Sequence, residues 1–249
     1  MGIVWVSNLI KKFGNFTAVD NITFSVNKGE IFGFLGANGA GKSTTIRMLC
    51  GIITPTSGEG QVGGFDIMKE SESIKQHIGY MSQKFSLYND LKVEENINFY
   101  MGIYGVPKEL KHERKEWVIA MTGLEEQRNL ITRSLPTGWK QKLALGCALI
   151  HKPPIVFLDE PTSGVDPISR RNFWAFIKNL AKDGTTFFVT THYMEEAEYC
   201  DNIALIFTGR IVAQGNPEEL KARFASDMEN PSLDEVFIRV MKMTGERAK

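Results

Sequence analysis

Gly36-Ala37-Asn38-Gly39-Ala40-Gly41-Lys42-Ser43, followed by Thr44 and Thr45, is the stretch on which the reading of this chain turns. Its spacing is G-x-x-x-x-G-K-[ST], that of a phosphate-binding loop. Upstream, Ile31-Phe32-Gly33-Phe34-Leu35 is a short apolar run suited to a strand buried on both faces. Downstream, Thr45-Ile46-Arg47-Met48-Leu49 continues like a helix. A loop so placed offers an oxyanion the unpaired N–H groups and positive dipole end of the helix start. Glycines let the backbone wrap it closely. Lys42 then reaches the terminal phosphates as a point charge, and the Ser43 hydroxyl faces a Mg²⁺ held among them.

The composition fits a folded domain with a large core, 249 residues at 43% hydrophobic content. Lys plus Arg and Asp plus Glu are 29 each, so no net field draws the chain to nucleic acid, and no nucleic-acid partner is expected. Cys50, Cys147 and Cys200 lie far apart and without metal-ligand spacing, as buried thiols in a reducing compartment do. No run approaches the ~20 apolar residues of a membrane span, and the Met1 end lacks a signal pattern. A cytoplasmic location is expected.

Residues Ile3 to Ile10 and Asn21 to Val26 read as strands, with Ile22, Phe24 and Val26 alternating as on a half-buried sheet. The stretch from Lys11 to Ala18 between them reads as a connecting loop. An aromatic there serves either the core or, beside a nucleotide, the π-face of a purine. From Lys84 to about Pro153 the pattern turns helical, which suggests an inserted helical subdomain. Within it, Ser134 to Gly138 reads as a loop and Trp139 to Ile150 as a helix with an apolar stripe.

Ile155-Val156-Phe157-Leu158 closes on Asp159-Glu160, which describes a central parallel strand opening on a site at its C-terminal end. Asp159 is placed to hold Mg²⁺ through its coordination shell, and Glu160 to orient and polarise a water. Asp166-Pro167 is a helix start, an N-cap followed by proline. Phe187 to Thr190 is another buried strand, and Thr191-His192 at its end puts the imidazole on the side of Asp159, within reach of a γ-phosphate or in a structural role. Asn216-Pro217-Glu218-Glu219 and Ser232-Leu233-Asp234-Glu235 each open a helix with an acidic first turn.

In this order the parts resemble one family closely, the ATP-binding-cassette (ABC) ATPases, from about Ile3 to Val240. The resemblance implies an α/β P-loop NTPase core (1–83 and 154–215) with an N-terminal antiparallel β subdomain. It adds an inserted helical subdomain (84–153) and a C-terminal helical extension (216–249). Phe13 falls where the family places its adenine-stacking aromatic, with Ala18 beside the purine. Gly36, Ala37, Asn38, Gly39, Ala40, Gly41, Lys42, Ser43 and Thr44 resemble the Walker A loop, Gln83 the Q-loop glutamine, and Ile155 to Glu160 the Walker B strand. Glu160, His192, Lys42 and Gln83 are the implied catalytic groups, with ATP as substrate and Mg²⁺ near Ser43, Gln83 and Asp159. Ser163 to Asp166 matches the D-loop. Leu135 to Leu143 followed by Leu158 to Pro167 resembles the exporter branch called ABC-2, and Ser232 to Phe237 is similar to that branch's C-terminal helix.

That branch implies a cytoplasmic-face ATPase, peripheral on the membrane, which pairs head to tail with a second ATPase domain, as a homodimer or tandem half, and drives a separate transmembrane permease. One segment departs from the family. Its signature, Leu-Ser-Gly-Gly-Gln, aligns with Leu135-Pro136-Thr137-Gly138-Trp139. Pro136 has neither the serine hydroxyl nor an N–H for the partner's γ-phosphate. The alternative expectation is a regulatory or soluble nucleotide-gated module with weak hydrolysis.

Overall fold

The computed structural model describes residues 2–83 and 87–247, the last four by backbone alone. The expected start of the helical segment at Lys84, and the expected ends at Met1 and at Ala248 and Lys249, lie outside those residues.

Two sheets pack against each other. Strands β1 (Val4–Phe13), β2 (Phe16–Val26), β4 (Ser57–Val62) and β5 (Phe65–Asp66) form an antiparallel sheet in the order β2-β1-β4-β5. The second sheet takes β3 (Ile31–Leu35), β6 (Ile78–Met81), β7 (Ile155–Asp159), β8 (Thr186–Thr191), β9 (Asn202–Phe207) and β10 (Arg210–Gly215) in the order β10-β9-β3-β8-β7-β6. Its pairs from β9 to β6 are parallel, and β10 closes the edge antiparallel to β9. Because β3, β6, β7 and β8 run the same way, their C-terminal ends meet on one rim of the sheet, where open α/β sheets bind ligands.

The sequence explains both layers. Strands β3, β7 and β8 are buried along their whole length, as continuous apolar runs must be when both faces are covered. On β2, Ile22, Phe24 and Val26 point inward and Asn21, Thr23 and Ser25 outward. Phe24 crosses between the sheets to Phe32, Phe34 and Phe188, with ring centroids 5.6, 5.6 and 5.9 Å away. Such ring pairs add about 0.5–1.5 kcal/mol each beyond burial, so this cluster fixes the two sheets together.

The expected loop from Lys11 to Ala18 is instead strand at both ends. Phe13 pairs with Phe16 across the two residues Gly14-Asn15, and Gly14 at φ +56 fills the first central position, where a type II′ turn calls for glycine. The two phenylalanines are thus opposite one another at a hairpin tip.

Helix α1 (Lys42–Leu49) follows β3, and α2 (Ser71–His77) precedes β6. Helices α3 (Val93–Ile103), α4 (Lys111–Thr122) and α5 (Thr137–Leu149) occupy the span between β6 and β7. Their apolar faces join one continuous core with Leu35, Val156, Leu158 and Val189 of the parallel sheet. Asn96 inside this span is fully buried and satisfied by Tyr88 N–H (2.8 Å), Tyr88 C=O (2.9 Å) and the Thr132 hydroxyl (2.9 Å). Helix α5 begins two residues earlier than expected, with Pro136 as its N-cap, so Thr137 and Gly138 are first-turn residues and not loop. Proline suits this place because a helix start leaves its N–H groups unpaired in any case.

Helix α6 (Pro167–Lys182) is capped by Asp166, whose carboxylate accepts from Ile168 and Ser169 N–H. Helices α7 (Pro217–Phe224) and α8 (Leu233–Arg247) close the chain. Asn216 with Glu219 and Ser232 with Glu235 form the two reciprocal caps. All three cysteines are buried and unpaired.

Candidate nucleotide site

At the end of β3 the chain turns sharply under the neighbouring strand. A Cβ on Gly36 would lie 2.2 Å from the Ile206 carbonyl, and one on Gly41, at φ +106, would lie 2.6 Å from that of Ala18. Glycine is therefore required at both positions. The loop wraps its own lysine. Lys42 Nζ, nearly inaccessible to solvent, donates to the carbonyls of Gly36 (2.8 Å) and Ala37 (3.1 Å) and pairs with Glu160 Oε1 at 3.1 Å.

The end of β7 supplies the two carboxylates in different environments. Asp159, 1% exposed, accepts from the Ser43 hydroxyl (3.0 Å) and the Thr190 hydroxyl (2.7 Å). Glu160 is left-handed at φ +48, a conformation that disfavours a side chain by roughly 1–2 kcal/mol. Its N–H is fixed there by the carbonyl and the hydroxyl of Thr190, both at 3.0 Å. The turn aims its carboxylate at Lys42, at His192 Nδ1 (3.0 Å) and at Gln83 Nε2 (3.2 Å). Four side chains from the ends of β3, β6, β7 and β8 thus converge on one point.

A cleft of about 400 Å³ opens over this point. It is lined by Asn38, Gly39, Gly41, Lys42, Ser43 and Thr44 of the loop, by Gln83 and Glu160, and by Phe16 and Ala18 of the hairpin. Gly36, Ala37 and Ala40 belong to the loop's inner turn, where the Ala40 N–H closes on the Ala37 carbonyl (3.2 Å). Phe13 does not line the cleft; its half-exposed ring lies under the Lys11 ammonium at 5.0 Å. Phe16, 64% exposed, is the aromatic on the cleft wall. Behind the loop, the Cys50 thiol is pushed well above its ordinary range by burial and, secondarily, by the Asp159 charge, so it is no nucleophile here.

The expected signature residues lie apart from this cleft. Leu135 is buried, Pro136 and Thr137 are exposed, and Gly138 and Trp139 are partly covered at the start of α5. Gly138 packs close to Ser169, to which a Cβ would approach within 3.3 Å. Asp166 caps α6, its carboxyl held below the usual carboxylate range by the hydrogen bonds from Ser169.

Two participants escaped the sequence reading. Thr190 was visible only as the polar end of an apolar strand, a signal that gains meaning once β8 is known to lie beside β7. Phe16 was hidden because the hairpin around it read as a loop.

A family model described as ABC transporter matches residues 19–163. The chain belongs to the ABC transporter family. It is similar to the ATP-binding cassettes of multidrug and other export proteins of that family. It is 48% identical over 240 residues to the probable multidrug ABC transporter ATP-binding protein YbhF of Escherichia coli, covering 96% of this chain but 42% of that protein. The chain thus spans well under half the length of this curated relative. Among solved structures, an ATP-binding subunit of an ABC transporter superposes with a TM-score of 0.83 at 27% identity, over 96% of this chain and 99% of that one. A dimeric cassette in a post-hydrolysis state bound to ADP and phosphate superposes with a TM-score of 0.76 at 26% identity, over 86% of this chain and 98% of that one. Among the described residues no helix is long and apolar enough to cross a membrane.

Proposed function

We propose that this cassette powers export through an ABC-2-type permease by closing head to tail with a second cassette around ATP. The observation that carries the reading is the Glu160 carboxylate, which lies within 3.2 Å of Lys42, His192 and Gln83 beside the Ser43–Asp159 pair. In the proposed reaction the backbone N–H groups of Gly36 to Thr44 cradle the phosphates and Lys42 holds the terminal one. Glu160 orients and polarises the attacking water, while His192 and Lys42 face the charge that develops on the γ-phosphoryl oxygens. Phe16, with Phe13 opposite it, offers the base a ring face.

Ser43, Asp159 and Gln83 suit Mg²⁺, which is bound through few protein oxygens, with only one or two carboxylates among them, and completes its shell with phosphates and waters. The hydroxyl and carboxylate 3.0 Å apart fit that pattern, and no cluster of three His, Cys, Asp or Glu exists among the described residues to suggest a fully protein-made cage. When bound, the ion supplies charge neutralisation across the phosphates.

We also infer the division into a catalytic core with its β subdomain (1–83 and 154–215), a helical part (84–153) and a C-terminal extension (216–249). Peripheral attachment to the cytoplasmic face follows from the same reading. The stretch from Gln83 to Ile103 would meet the permease, and Pro136 to Trp139 with Asp166 would face the partner's nucleotide. A second reading, slow or regulatory turnover, is favoured by Pro136 at the N-cap of α5, where a hydroxyl and an N–H are both missing.

Steady-state phosphate release with Mg-ATP over a range of protein concentrations tests both. Turnover that rises faster than linearly with concentration and vanishes in Glu160→Gln, with ATP binding kept, supports the first reading. A Glu160→Gln chain that releases phosphate at the parent rate removes Glu160 from its role, and ATP binding without turnover at any concentration favours the second.

A further inference from the structure

Behind the site lies a buried carboxylate that the reaction does not use. Glu196, in the short 3-10 turn Met194–Tyr199 after β8, is 1% exposed. Its Oε1 accepts from the Thr162 hydroxyl at 2.5 Å, two residues beyond Glu160. The same oxygen faces Arg170 Nε at 3.7 Å, an ion pair too long for a hydrogen bond. Neither Glu196 Oε2 nor Arg170 Nε has a hydrogen-bond partner among the described residues. Buried polar atoms are normally satisfied, so this pair is held slack.

Arg170 is held elsewhere. Its guanidinium stacks 3.9 Å over the ring of Tyr193, and its Nη2 reaches the Val165 carbonyl at 3.4 Å. Tyr193 in turn lies ring to ring with His192 at 4.1 Å. One guanidinium thus touches the loop that leads from Glu160 to the α6 cap and the residue beside the histidine that meets Glu160.

We propose that Glu196 and Arg170 are positioning residues that tie the loop Thr162–Val165 to His192, so that a displacement of that loop moves the imidazole against Glu160. A planar cation can slide on an aromatic face with little loss, while its slack contacts to Glu196 and Val165 have room to tighten. The proposal rests on the hydrolytic reading above for its catalytic consequence, but not for the mechanical tie itself.

The test uses the full chain with Glu196→Gln, Arg170→Lys and the double variant. Glu196→Gln keeps the acceptor for Thr162 and removes the ion pair; Arg170→Lys keeps the charge and removes the planar stack. The first readout is the His192 ring resonance, assigned with His192→Asn among the four histidines. It is expected to shift in each single variant while His77, His112 and His151 stay in place, and the double variant should match the single ones. The second is turnover, with a roughly tenfold fall in kcat, KM within about twofold, and losses in the double variant that do not multiply. A His192 resonance that does not move, or losses that multiply and track a fall in melting temperature, overturns the proposal. A shifted His192 in a parent chain that binds ATP without hydrolysing it sustains the tie and overturns the hydrolytic reading instead.

Discussion

Thr190→Val isolates the least visible part of the site. The hydroxyl donates to Asp159 Oδ1 at 2.7 Å and accepts the Glu160 N–H at 3.0 Å, and the residue is fully buried. Valine fills nearly the same volume, so the substitution removes hydrogen bonds and opens no cavity. Two contacts survive it: Glu160 N–H keeps the Thr190 carbonyl at 3.0 Å, and Asp159 keeps the Ser43 hydroxyl at 3.0 Å. The net loss is therefore one charge-assisted hydrogen bond, about 1.5–3 kcal/mol. For a chain of this size that is a fall of roughly 4–8 °C in melting temperature, taking ~2 kcal/mol at 2–4 °C per kcal/mol. Turnover should fall at least tenfold, because the Asp159 carboxylate loses its tether to β8 and the Glu160 N–H one of its two acceptors there. Urea unfolding and phosphate release measure the two effects, with Thr190→Ser as the control that keeps the hydroxyl. A valine variant within ~0.5 kcal/mol of the parent and equal in turnover refutes the reasoning. So does a serine variant as damaged as the valine one, since the methyl would then be what matters.

Pro136→Ser, which restores a hydroxyl and an N–H at the start of α5, should raise turnover about tenfold if the proline weakens closure; an unchanged rate would show that Thr137 or the helix N-terminus already serves. Phe16→Ala should weaken binding of a fluorescent ATP analogue roughly fivefold, about 1 kcal/mol of ring contact, and by more than Phe13→Ala; the reverse order would return the base to Phe13. His151 bonds the Ile78 carbonyl through Nε2 at 3.1 Å, and burial, aided by the charge of His77, pushes its pKa down from 6.5 to about 4. Its neutral form is the native one, so the unfolded chain binds the extra proton between those values and stability is lost as pH falls from 6.5 towards 4. From pH 7.5 to 5 this amounts to about 2 kcal/mol, which His151→Gln should remove from the urea midpoints; parallel pH slopes in parent and variant would refute it.

What was legible in the sequence was whatever a local pattern encodes. The loop Gly36 to Thr44, the strand ending in Asp159-Glu160 and the caps at Asp166, Asn216 and Ser232 each depend on neighbours within a few residues. What escaped depended on pairing. The hairpin at Gly14-Asn15 read as a loop because Lys11-Lys12 and Thr17 break the apolar alternation, while its register is set by the long antiparallel partner β2. Helix α5 read two residues short because Thr137-Gly138 has poor helix propensity, and packing against Ser169 overrides it. The helical span read as an insertion within one domain, and the contacts that join its core to Leu35 and Val156 are ones that no periodicity within the span reveals.

The same geometry bears on the order of events in the site. Glu160 is met by the side chains of Lys42, His192 and Gln83, and Lys42 by Glu160 and the carbonyls of Gly36 and Ala37. A carboxylate so occupied has little free lone-pair capacity for a water, and an ammonium so occupied does not attract a phosphate at full strength. On the proposed reading, a triphosphate carries the charge that competes for Lys42, and drawing that ammonium away would release one oxygen of Glu160. On that reading the base would be freed by the substrate it acts on. The left-handed turn at Glu160, at φ +48 and fixed by Thr190, would on that reading keep the carboxylate from following the lysine.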